Sequence, residues 1–251
     1  VFIIIRGTKF KLSLKNLFNL FIMSLLNNIF PFLLITFGQQ TTTGGLASIL
    51  NANTSFIGIL LASLFLPLER LNFYRLIGVS IGVLGVIIAI GYQNIIQLND
   101  DDLGKYLILI ATLSYGFAGV WGKLKLQNFT PIIAATGMLT MSTIILTPYA
   151  FTMHLEEIYS LNFFILKYAF VFAIICSVFA YFLYFKILES AGAGNLLICT
   201  IIIPPSSIFL NAFILDQIIT FNECLGLIII ILGLIILDGR LINKHTPTSQ
   251  K

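Results

Sequence analysis

Apolar residues fall into long runs parted by short polar connectors, and the connectors hold nearly all of the charge. A helix that crosses a membrane needs roughly 20 mostly apolar residues. Eight runs meet or approach that length: Leu17–Phe37, Leu46–Leu66, Leu76–Ile90, Tyr106–Trp121, Ile132–Phe151, Tyr168–Phe185, Leu196–Leu215 and Leu225–Leu237. The third and eighth are short, but the flanking Phe73, Tyr74, Ile219 and Phe221 extend them. In the third run Gly78, Gly82, Gly85 and Ala89 recur every three or four residues, on one helix face. Small residues let membrane helices approach closely, so this stripe predicts a packing seam, with a hinge as the other reading.

Charge then orients the runs. With the N-terminal stretch on the cytoplasmic side and each run reversing direction, that side collects Arg6, Lys9, Lys11, Lys15, Arg70, Arg75, Lys123, Lys125, Lys186, Arg240, Lys244 and Lys251. Of the 14 basic residues, only Lys105 and Lys167 fall outside. The outer connectors hold Asp100, Asp101, Asp102, Glu156, Glu157, Asp216 and Glu223 instead. Cytoplasmic loops of membrane proteins are rich in Lys and Arg. One mistaken span would scramble this alternation, so the pattern predicts eight spans with both termini cytoplasmic, in the cell membrane. Composition agrees: 58% of residues are hydrophobic and 10% charged, against roughly 25% charged in a soluble domain. The predicted class is an all-α integral membrane protein, a polytopic helical bundle. Cys176, Cys199 and Cys224 lie in or beside apolar runs and read as inert thiols.

The chain also matches itself at an offset of 148 residues. Gly78 meets Gly226, Gly85 meets Gly233, Gly91 meets Gly239, Phe73 meets Phe221, Phe37 meets Phe185 and Gly44 meets Gly192. The match pairs runs one to three with six to eight, a shift of five spans, so the two copies are expected to lie upside down relative to each other. Inverted repeats of this kind are common in secondary transporters. The expected organisation is a short N-terminal segment (1–16), an incomplete first repeat of three helices (17–98), a second repeat of five (99–240) and a cytoplasmic tail (241–251). Partners for the fourth and fifth helices would precede Val1, so VFIII reads as the end of such a helix.

The two copies, FLPLERLNFYRLIGVSIGVLGVIIAIG from Phe65 and FILDQIITFNECLGLIIIILGLIILDG from Phe213, resemble the drug/metabolite transporter superfamily, in particular its EamA-type ten-helix carriers, here lacking the first two helices. The family's Glu-Arg-Leu turn, nine residues before a glycine that opens the next helix, is matched by Glu69 and Gly78; Gln217 stands at the Glu69 position of the second copy. ATLSYGFAGVWGKL, from Ala111, fits the family's sixth helix. The resemblance covers nearly the whole chain. It implies transport of amino acids, other metabolites or drugs, by a bundle of five plus five inverted helices.

Polar residues inside the runs are the candidate substrate contacts: Asn27, Asn28, Asn51, Thr54, Ser114, Tyr115, Trp121, Tyr181, Tyr184, Ser206 and Asn211. An amide facing lipid alone costs on the order of 2 kcal/mol, so these side chains are expected to face inward. Each on its own also reads as interhelical hydrogen bonding. Pro204-Pro205 is expected to interrupt the seventh run, as a structural kink or a gate. No Asp, Glu, Lys, Arg or His sits in the middle of a run, which favours a neutral or zwitterionic organic solute moved by alternating access. The sequence calls for no cofactor and no metal. Its partners are a small-molecule substrate and the lipid bilayer, with no nucleic acid, and a homodimer stays open. A non-functional remnant, a membrane interaction protein and an integral membrane enzyme are the other readings; His154 and His245 have no clustered partner for the last.

Overall fold

The computed structural model describes residues 13–66, 72–91, 103–153, 155–180, 183 and 198–238. All regular structure among them is helical: α1 (Leu14–Ser24), a π segment (Leu25–Ile29), α2 (Phe30–Gly38), α3 (Gly44–Asn51), α4 (Asn53–Phe65), α5 (Phe73–Ile90), α6 (Leu103–Lys125), α7 (Pro131–Met153), α8 (Leu155–Tyr159), α9 (Phe163–Ala173), a second π segment (Ile174–Phe179), α10 (Ile198–Leu215) and α11 (Phe221–Asp238). Among the described residues, five stretches are long and apolar enough to cross a membrane: Leu14–Gly38, Gly44–Phe65, Phe73–Ile90, Leu103–Lys125 and Ile132–Met153. Phe163–Cys176, Ile202–Leu215 and Phe221–Leu237 are shorter apolar helices. This is an all-α membrane bundle.

Several helices begin earlier than the apolar runs do, behind polar capping residues. Ser13, Thr43, Asn72 and Asn162 each accept a hydrogen bond from a backbone N–H three residues on, which satisfies a donor the helix leaves free. Thr220 and Glu223 form a reciprocal box at the start of α11. The Thr220 N–H donates to Glu223 Oε2 (2.9 Å) and the Glu223 N–H donates to Thr220 Oγ1 (3.3 Å). At the offset of 148, Asn72 corresponds to Thr220 and Arg75 to Glu223, and the Arg75 N–H donates to Asn72 Oδ1 (2.8 Å). Cap and capped residue are both reproduced.

One expectation about continuity needs correcting. The second run does form one span, Gly44–Phe65, with a single-residue lapse in the α-helical pattern at Ala52. The Ala52 N–H is shared between the Ser48 and Ile49 carbonyls, and the Ala52 carbonyl accepts from the Ser55 N–H, three residues on (3.2 Å each). Asn51 and Asn53 flank the lapse, and short amide side chains compete with helical hydrogen bonding. Pro204-Pro205, by contrast, interrupts nothing, since α10 continues through both. Pro204 is fully buried, so packing holds the helix where local bonding is lost.

Contacts divide the chain into two compact units. One comprises Val1–Ile29 and Gly122–Leu196, the other Phe30–Trp121 and Leu197–Lys251. In the first, α1 packs on α7. Leu20 covers Gly137, where an added Cβ would stand 2.6 Å from a Leu20 methyl. α9 buries none of its residues.

In the second unit the most extensive contact joins α5 to α11. An added Cβ at Gly78 would stand 2.9 Å from the Gly233 carbonyl oxygen, and one at Gly85 the same distance from that of Gly226. At Gly226 it would meet the Gly85 oxygen at 2.7 Å, and at Gly233 the Gly78 oxygen at 2.9 Å. The helices run antiparallel, and under the offset of 148 each contact maps onto another: 78 with 233 becomes 226 with 85, and 78 with 237 becomes 226 with 89. The glycines are a packing seam, as their spacing predicts. One break in the symmetry is instructive. Gly82 corresponds to Ile230, and the fully buried Phe56 ring sits over Gly82, filling the space a side chain would take. Around this seam Leu46, Ala47, Ile49, Leu50, Val79, Val86, Ile108 and Leu234 complete the core.

Candidate substrate path

The span Gly44–Phe65 belongs to the second unit and presents two different faces. One carries Phe56 into the glycine seam. The other, from about 150° away around the helix, carries Asn51, Thr54 and Gly58. All three are half-buried. Asn51 Oδ1 and Thr54 Oγ1 are buried without a hydrogen-bond partner. Asn53 Oδ1, on a third side, has none either, although Asn53 is only 8% exposed. One turn beyond Thr54, no atom lies within 4 Å of where a Cβ on Gly58 would stand. Buried polar atoms are almost always paired, and each exception costs about 1–3 kcal/mol. Two such oxygens, one turn apart and followed by open space, leave this face short of partners.

Helix α6 packs beside this face. Gly116 approaches Ile57 and Leu61, where an added Cβ would stand 2.8 and 2.9 Å from their side chains, and the Gly58 N–H at 3.5 Å. Helical periodicity puts Tyr115 and Gly119 on one flank of that contact, and a Cβ at Gly119 would also meet nothing within 4 Å. Ser114 and Trp121 turn to the far side of α6. All three polar candidates on this helix are half-buried and have interaction partners.

A second polar cluster forms at one end of the same unit, where the start of α3 meets the end of α10. The Ser207 hydroxyl donates to the Gly44 carbonyl (3.3 Å), and Asn211 Nδ2 donates to the Ser207 carbonyl (2.8 Å) and hydroxyl (3.2 Å). Asn211 lies close over Gly44, so a side chain there would have to displace the Asn211 amide. Past the end of α10, Asp216 adopts a left-handed conformation (φ 51°), and the Gln217 N–H returns to the Asn211 carbonyl (3.3 Å). A cavity of about 10 Å³, room for one water, is lined by Thr43, Asn211, Gln217 and Glu223. Gln217 Oε1 is buried without a partner. Glu223 is 7% exposed. Span-by-span reading misses Gln217 and Glu223, although Thr220-x-x-Glu223 is a recognisable capping signature.

Ser206 is exposed on α10, and its neighbour Ser207 makes the bond to α3. Asn27 and Asn28 belong to the first unit, in its π segment. Asn27 Nδ2 donates to Asn28 Oδ1 (3.4 Å) and approaches Met138 Sδ (3.3 Å), and Asn28 is 2% exposed. Insertions of a π turn are frequent at functional sites, and Pro31, which cannot donate to the Asn27 carbonyl, follows directly. Tyr181 and Tyr184 lie outside the described residues, as do Glu69, Arg70 and Lys186.

Comparison with known proteins places this geometry. The sequence profile of the EamA-like transporter family matches residues 1–91 and 102–237. The uncharacterized transporter YoaV of Bacillus subtilis (strain 168) is 25% identical over 241 residues, covering 92% of this chain and 78% of YoaV. YetK of the same organism, also an uncharacterized transporter, is 25% identical over 245 residues, covering 94% and 71%. An uncharacterized transporter of Archaeoglobus fulgidus is 23% identical over 242 residues, covering 93% and 81%. Family and relatives point to a transporter and not to an enzyme. Two matched segments, a multi-pass apolar bundle and a polar face within one of its spans lead to one assignment: the chain belongs to the EamA-like transporter family.

Proposed function

We propose that this protein is a secondary transporter that moves a small neutral or zwitterionic organic solute across the cell membrane by alternating access, with both termini in the cytoplasm. The observation that carries the reading is the pair of unpartnered buried oxygens on Asn51 and Thr54 beside the open space at Gly58. A span destined only for packing would bury apolar or satisfied groups there. The span from Gly44 to Phe65 contains no Asp, Glu, Lys, Arg or His, so an uncharged wall meets the solute. That suits a molecule without net charge, because a full charge taken from water into such surroundings is expensive. A preference for amino acids, other metabolites or drugs is left to the assay.

The test is solute flux in cells or proteoliposomes carrying the full chain. Asn51→Leu and Tyr181→Ala are each expected to lower flux of a transported amino acid or metabolite about tenfold or more at unchanged membrane abundance, the size expected for losing one buried hydrogen bond to a polar solute. Unchanged flux in both variants removes the path. Orientation is tested separately: membrane-impermeant amine labels should reach Lys123 and Lys186 from the cytoplasmic side only.

A further inference from the structure

The unsatisfied groups on the Asn51–Thr54 face have one chemistry in common, and it narrows what can sit there. Both are oxygens able to accept. Elsewhere in this unit Asn211 has spent its donors internally, on Ser207. Along this span the hydroxyls of Ser48 and Ser63 likewise donate to carbonyls of their own helix, Gly45 and Leu60, at 2.7 Å each. Asn51 and Thr54 are i and i+3, on one side of the helix and within one turn of it. The lapse at Ala52 lies between them, where regular bonding gives way to a three-residue turn. Beside them Gly58 leaves its space unfilled. An occupant that uses both oxygens as acceptors brings positive charge or donors, and no Lys or Arg of this span supplies them.

We infer that the Asn51–Thr54 face seats a small monocation, an alkali-metal ion or the primary ammonium end of a zwitterionic solute. Neutral oxygens in an apolar wall suit a single charge. A divalent ion would need carboxylates to offset its dehydration, and this span has none. The two sources share one recognition chemistry and differ in consequence: an alkali ion would couple to transport, whereas an ammonium group would belong to the cargo. The inference rests on reading this face as part of the transport path.

Binding is read on the full chain in lipid nanodiscs, from the midpoint of thermal unfolding. NaCl, KCl and methylammonium chloride are titrated at constant ionic strength against N-methylglucamine chloride, whose bulky cation does not fit one helical turn. At least one small cation is expected to raise the midpoint saturably, with no rise in N-methylglucamine. Thr54→Val, which keeps the shape and removes the oxygen, is expected to weaken that binding about tenfold or more, since a hydrogen bond to a charged group is lost. Asn51→Asp is expected to tighten it by a similar factor. Ser63→Ala should leave it unchanged. A response to Na⁺ or K⁺ identifies a coupling ion, and a response to methylammonium alone identifies the amine of the solute. No response to any small cation, or the same affinity in Thr54→Val and Asn51→Asp as in the parent, overturns the inference. Solute flux without cation binding removes this site and leaves the transporter, whereas cation binding without flux removes the transport reading.

Discussion

Helix pair α5/α11 and the outer face of the Gly44–Phe65 span lie in the same compact unit and are built on opposite terms. In the seam, Gly78, Gly85, Gly226 and Gly233 each lie against backbone of the other helix, in contacts that the 148-residue offset maps onto one another. Only Gly82, under Phe56, breaks the pattern. No buried side-chain oxygen of either helix in this seam is left without a partner. On the span's face, two oxygens are unpaired and a glycine faces open space. Phe56 and Thr54 are two residues apart, yet one is locked into the seam and the other is not. Stability and accessibility are thus divided between two sides of a single helix. A carrier requires that division, because a solute has to meet groups that the fold has not already satisfied.

The largest effect should come from breaking the seam. Phe56→Ala removes a ring that nothing else replaces over Gly82 and is expected to cost about 3–5 kcal/mol. Gly85→Val sets a branched side chain against the Ile230 N–H and the Gly226 carbonyl, both backbone, which cannot swing aside. Its cost should be near 3 kcal/mol, the upper part of the overpacking range. Both are read as a lower unfolding midpoint in detergent, with lower membrane abundance. A seam variant that stays fully stable while losing transport would reverse the comparison and make the glycines a hinge.

Much of the seam was legible in the sequence; of the face, the polar residues Asn51 and Thr54 were legible, but not that their oxygens lack partners. Gly78, Gly82, Gly85 and Ala89 announce a packing stripe by spacing alone, and the 148-residue offset adds that Gly226 and Gly233 answer it. Hydropathy and helical periodicity are local signals, so they carry this much. Neither reports whether an oxygen has found a partner. Asn51 and Ser48 are equally polar in sequence, yet the Ser48 hydroxyl bonds its own helix and Asn51 Oδ1 bonds nothing. Ser206 and Ser207 are adjacent, and only the fold shows that Ser207 reaches Gly44, 163 residues away. The proline pair misled for the same reason, since local rules predict a broken helix where packing around Pro204 sustains it.

A middle-sized effect sharpens the contrast from the other side. Asn51→Leu removes an amide whose oxygen is buried and unpaired. Replacing such a group by an apolar one should leave stability unchanged or raise it by about 1 kcal/mol, even as flux falls. Gain of stability with loss of function is the mark of a site held unsatisfied for use. A clear drop in the unfolding midpoint would mean that Asn51 has a structural partner, and the face would join the seam as packing.

The smallest expected effects concern the two helix starts of the seam, which are equivalent in position and unequal in construction. Asn72 caps α5 with one side-chain bond to the Arg75 N–H. Thr220 and Glu223 cap α11 with two, and Glu223 is buried where Arg75 is half-buried. Removing a cap typically costs about 1 kcal/mol. Thr220→Ala withdraws the acceptor from a box of which Glu223 is the other half, so it should approach or slightly exceed that figure. Asn72→Ala, at a more exposed terminus where water can replace the lost acceptor, should stay below it. Unfolding midpoints of the two variants, compared with each other as well as with the parent, make the measurement. Equal losses would mean that the duplicated position alone sets the cost of each cap; the expected inequality would show that burial around Glu223 has made one end of the seam firmer than its image.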